Sequence, residues 1–99
     1  MPGKELKDML NSLMELYELA YQQLNIKVTY LIDNGIRNKR LIENTFEELL
    51  NIPTDKCYDL FIKLCNYVKT FDEQLVIDYQ TIYEELYGEE TNKTKKRSH

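Results

Sequence analysis

The sequence predicts an all-α fold: a four-helix bundle or elaborated helical hairpin with a long N-terminal helix. Three observations predict it. Apolar residues recur at helical spacing from the first turn of the chain to residue 87. Glycine and proline are scarce, 3 and 2 in 99 residues, so turns are few and elements long. No segment alternates apolar and polar residues as a half-buried strand does.

The first helix is expected over about residues 4–33. Leu6, Leu10, Leu13, Tyr17, Ala20, Leu24 and Leu31 follow alternating steps of four and three, interrupted only at Lys27. This is a heptad track, and Met9, Met14, Tyr21 and Val28 widen it on both sides. A helix of that length measures roughly 42–45 Å, more than a globule of this size spans. It therefore projects, is covered by a partner, or bends near Asn25, where the β-branched run Ile26, Val28, Thr29 and Ile32 lowers helix propensity. Asn34-Gly35 supplies the stop, glycine being free to take a left-handed cap.

A second helix is expected over 37–51, where the doublets Leu41-Ile42, Thr45-Phe46 and Leu49-Leu50 alternate with polar pairs. Thr45 and Glu48 have capping-box spacing, so a new helix starting at Thr45 is the alternative to one continuous element. Pro53 breaks the chain and Thr54 caps a third helix, 55–69, with Cys57, Leu60, Phe61, Leu64, Cys65 and Val68 on its main face. Tyr58, Ile62 and Tyr67 extend apolar character round that helix. A second capping-box pair, Thr70 and Glu73, opens a fourth helix, 71–87, whose inward set is Phe71, Leu75, Tyr79, Ile82 and Leu86 and whose end is Gly88. Residues 1–88 read as a single helical domain. Residues 89–99, without one apolar side chain, read as a disordered basic tail.

Charge and composition exclude more than they assign. The body, residues 1–88, carries 15 acids against 9 bases, net −6, and an acidic body repels nucleic acid and anionic membrane on average. No apolar run approaches the ~20 residues of a membrane span, and MPGKELKDML lacks the apolar core of a signal peptide. A cytoplasmic protein is expected. Cys57 and Cys65 lie eight residues apart on one predicted helix, about 12 Å along its axis, too far for a disulfide. Two small buried thiols are the reading.

Catalysis is not expected. The one histidine is His99, in the tail, which removes the usual general base and most transition-metal sites. The three glycines are isolated, so no phosphate cradle exists, and no cofactor is expected. Glu5 with Asp8, and Glu15 with Glu18, have the spacing of the Mg²⁺ ligands of helical nucleotide pyrophosphohydrolases. Those sites need acids converging from two facing helices, whereas both pairs here project from one.

Binding is what remains, and three signals carry it. Eight tyrosines with no tryptophan is a skewed aromatic set, and Tyr79, Tyr83 and Tyr87 repeat every four residues on the fourth helix. Tyrosine suits surfaces that are apolar in one state and hydrated in another. The heptad track of the first helix exceeds what shorter helices cover, so Leu6, Leu10, Leu13 and Tyr17 are expected in a homodimer or a protein-partner interface. Finally, residues 46–69 have the apolar spacing of a degenerate helix-turn-helix, with Asn51 at the turn. Glu47 stands where that motif wants a small residue, and Asp55 and Asp59 accompany Lys56 and Lys63 on the recognition helix. Arg37, Lys39, Arg40 and Lys56 are the residues that reading would place on nucleic acid.

The expected function is a small helical protein-interaction module, a regulator, inhibitor or assembly factor of a mobile element. The alternative is a DNA-binding regulator. Bacteriocin immunity proteins share this size and helical content, a likeness of architecture that transfers no function.

Overall fold

The computed structural model describes residues 2–88, with side chains from Glu5 onward. Four helices are present and no strand among the described residues: α1 (Pro2–Asp33), α2 (Lys39–Leu50), α3 (Asp55–Val68) and α4 (Glu73–Tyr87). The basic tail, 89–99, lies outside the described residues. The all-α class and the long first helix are as expected.

Helix α1 runs through Asn25 without interruption, 32 residues and about 48 Å. Leu, Met, Glu and Gln dominate its first two-thirds, and these unbranched side chains lose little rotamer freedom in a helix. The β-branched run lies in the packed second half, where burial of Val28 offsets its lower propensity. The stop is a Schellman turn. The Ile36 amide donates to the Leu31 carbonyl at 2.9 Å and the Gly35 amide to Ile32 at 3.1 Å. Gly35 sits at φ +60°, where a Cβ would be strained.

Asn38 caps α2 by accepting from the Leu41 amide at 3.0 Å. Thr45 does not begin a new helix. Its hydroxyl donates back to the Leu41 carbonyl at 2.8 Å, which satisfies a fully buried polar group inside one continuous element. Thr54 caps α3 as its spacing predicts, accepting from the Cys57 amide at 3.3 Å.

The fourth helix starts later than the sequence suggested. Asp72, not Thr70, caps it, accepting from the Leu75 amide at 3.2 Å, while the Thr70 hydroxyl bonds the Tyr67 carbonyl at 2.7 Å. A carboxylate is favoured there because it accepts the bond and also meets the positive end of the helix dipole. Thr70 is left to close the last turn of α3.

The chain divides into two compact units, Met1–Leu64 and Cys65–His99. In the first, α1 packs on α2. Its buried set is Leu24, Val28 and Leu31 of α1, Ile42, Phe46, Leu49 and Leu50 of α2, and Cys57, Leu60, Phe61 and Leu64 of α3. The Phe46 and Phe61 rings meet edge to face, centroids 5.4 Å apart, joining α2 to α3. Lys27 bonds Glu48 at 2.6 Å across the α1–α2 contact.

In the second unit Cys65, Val68, Leu75, Val76 and Tyr79 are buried, and the Tyr67 ring meets Phe71 edge to face at 5.2 Å. Ile82 and Leu86, expected inside, are exposed. The buried side chains of α4 end at Tyr79, so its last two turns keep an apolar face in solvent. Both thiols are buried and unbridged, and burial pushes that of Cys65 up to about 12.

Candidate functional site

A heptad track places every seventh residue at nearly the same angle on a helix, so Leu10, Tyr17, Leu24 and Leu31 share one side of α1. The structure divides that side in two. Leu24 and Leu31 are 5% and 0% exposed, inside the first unit's core. Leu6, Leu10 and Leu13, on the same track, are 58%, 52% and 42% exposed. Tyr17 and Ala20 are half-buried and mark the border. The stripe is therefore continuous in sequence and discontinuous in packing.

The exposed part is broader than the track alone. Leu6, Met9, Leu10, Leu13 and Leu16 line a shallow, open, mostly apolar groove along the outer half of the helix. Met14 lies exposed on the other edge and Leu19 further round. The heptad track with its flanks Met9 and Met14 does not include Leu16 and Leu19. The signal was present: Leu16 follows Met9 by seven residues, a second track beside the first.

The border is held by charge. Lys56 of α3 donates to the Glu18 carboxylate at 3.0 Å and stands 5.3 Å from the centre of the Tyr21 ring. Gln22 adds a bond to Glu18 at 3.5 Å. The Lys56 hydrogen bond, ahead of its charge, holds the Glu18 carboxyl below its ordinary range; Glu18, in turn, holds the Lys56 ammonium above its own. The carboxylate's contribution is full above its unfolded value and fades as pH falls through the lowered folded one. The ammonium's is full below its unfolded value and fades as pH rises through the raised folded one. Both groups face water, so the effect is local rather than stabilising overall. Lys56→Met is expected to return Glu18 to an ordinary carboxyl titration, read by carbon NMR; an unchanged midpoint would show that the pair does not form in solution.

Of the tyrosine ladder, Tyr79 is buried, Tyr83 half-buried and Tyr87 exposed, with the Tyr83 and Tyr87 rings 4.9 Å apart. The inner rung belongs to the second unit's core. The outer rungs lie with Leu86 on the exposed end of α4.

The basic residues do not share one place. Arg37, Lys39 and Arg40 are exposed at the entry to α2. Lys56 lies on α3, beyond the far end of α2, itself about 18 Å long. The exposed side of α3 within the first unit presents Asp55 and Asp59 beside Lys56 and Lys63, two charges of each sign. The acid pairs of α1 are exposed too, and among the described residues no group of three or more His, Cys, Asp or Glu is placed to hold a metal ion. No described helix is long and apolar enough to cross a membrane.

No known protein family, curated protein or solved structure matches the chain.

Proposed function

We propose that this protein is a small helical interaction module whose docking face is the outer half of α1. One observation carries the reading. Leu6, Leu10 and Leu13 continue the track that packs the core at Leu24 and Leu31, yet stand open to water. Apolar side chains scattered singly on a surface need no explanation, but a contiguous stripe of them favours a covering partner. The chemistry of the face selects a protein. It is flat, apolar and helical, with leucine and methionine and few charges, which suits the apolar side of another helix and offers nothing to a phosphate backbone. Methionine at its edges lets the surface adapt to its occupant.

The role that follows is regulator, inhibitor or assembly factor, exerted by occupying another chain rather than transforming a substrate. A reducing, cytoplasmic setting fits two buried thiols left unbridged.

A photo-crosslinking residue at Leu13 in the full chain, produced in living cells, tests this. Illumination is expected to yield a discrete protein adduct, while the same residue at Glu15, on the polar side, yields none. No adduct at Leu13, or equal capture at Glu15, overturns the reading.

A further inference from the structure

The docking face accounts for where a partner binds but not for which partner. Resting on that reading, we infer that the occupant is a second copy of this chain, its α1 lying antiparallel to the first across the outer half.

Area is the first argument. Leu6, Met9, Leu10, Leu13, Met14 and Leu16 are each two-fifths to two-thirds exposed. At about 100 Å² apiece they offer roughly 600 Å² per copy and 1,200 Å² per pair, the lower edge of specific protein interfaces. A single added helix facing one stripe fills the need, and the chain itself supplies one with matching period.

Direction follows from what already occupies the same side of α1. From Leu24 onward that side is buried in the copy's own core. A parallel partner would continue its helix along the line that α2 and α3 hold, and the two cores would collide. An antiparallel partner runs the other way, carrying its own residues 24–33 and the helices packed on them out past the first copy's beginning of α1. Only that direction leaves both cores intact.

Register follows from the heptads. Antiparallel coils alternate the two apolar positions across the seam, so Leu10 faces Leu13 of the other copy, Leu6 faces Tyr17, and the twofold axis falls between Asn11 and Ser12. Met9 and Leu16 then meet across one edge. In the antiparallel seam the opposite edge sets Lys7 of one copy beside Met14 of the other, the alkyl stem of the lysine lying along apolar surface. The opposed helix dipoles also favour this seam.

Light scattering of the full chain at tens of micromolar is the first readout, and a mass twice the 11.9 kDa of one copy is expected. Leu10→Glu and Leu13→Lys are each expected to give single copies with unchanged helicity, because both positions are open to water in one copy. Mixing these two variants restores the pair in an antiparallel seam, where Leu10 faces Leu13. Mixing Leu10→Glu with Leu10→Lys restores it in a parallel one. A single-copy mass for the unmodified chain, a pair unaffected by Leu10→Glu, or rescue by the second mixture instead of the first overturns the inference. The Leu13 crosslink separates this from the docking reading. An adduct with a different protein beside a single-copy mass sinks only the self-pairing, whereas no adduct and a single-copy mass sink both.

Discussion

Phe46→Ala is expected to remove about 3–5 kcal/mol from the first unit, a large fraction of the roughly 5–15 kcal/mol that holds an ordinary domain folded. Phe46 is fully buried, and its ring edge meets Phe61, itself 2% exposed. The loss combines the transfer free energy of the ring, the cavity left behind, and an aromatic pair worth ~0.5–1.5 kcal/mol beyond its area. Thermal or urea unfolding followed by circular dichroism reads the effect directly. Tyr58 is the internal comparison. It stacks on Phe61 at 6.5 Å but is exposed, so Tyr58→Ala is expected to cost less than about 1 kcal/mol. Comparable losses at the two positions would mean that Phe46 and Phe61 do not form the α2–α3 joint described above.

Leu31→Asp and Leu10→Asp make the same chemical change on the same helical track, and they are expected to differ by several kcal/mol. At Leu31 the carboxylate enters a site with no solvent exposure, and Lys27, the cation one turn before it on the same track, is already bonded to Glu48. An unpaired buried charge costs about 3–5 kcal/mol, so the first unit is expected to unfold or to fold only at acid pH, with the carboxyl neutral. At Leu10 the new carboxylate stays in water, and the change in stability is expected within about 0.5 kcal/mol. The measurement uses concentrations too low for association, so that it reports one copy. Equal destabilisation at the two sites would show that a lone copy buries its outer helix, and the docking reading would then fail. The pair thus tests the border between core and surface along α1.

Much of this architecture is legible in the sequence. Asn34-Gly35 stops α1 because only glycine enters the left-handed cap freely, and a local rule of that kind holds wherever the chain goes. Thr54 caps α3 for the same sort of reason. The inward faces of α2 and α3 followed from doublets at helical period, and Ile42, Phe46, Leu49, Leu60, Phe61 and Leu64 are all buried. Local rules compete at two places. Thr70 and Asp72 both offer capping oxygens to α4, and Asp72 holds the cap. Thr45 has the spacing of a cap but spends its hydroxyl on the preceding turn, because the surrounding leucines keep α2 continuous.

Ile82 and Leu86 show where periodicity stops informing. They lie on the expected track of α4 and are nevertheless exposed. The candidate site has the same origin. Leu6, Leu10 and Leu13 are indistinguishable by pattern from Leu24 and Leu31, since a heptad states which side of a helix is apolar and not how far along it the neighbours reach.

What the sequence alone determined is therefore the class, the four helices, their stops and their apolar sides, all set by interactions within a turn or two of backbone. What only the tertiary structure decided is which stretch of each apolar side is covered. Coverage depends on the lengths and placement of α2 and α3 beside the 32 residues of α1, and those are relations between segments distant in sequence. Burial is a property of the neighbours, whereas amphipathicity belongs to the helix itself.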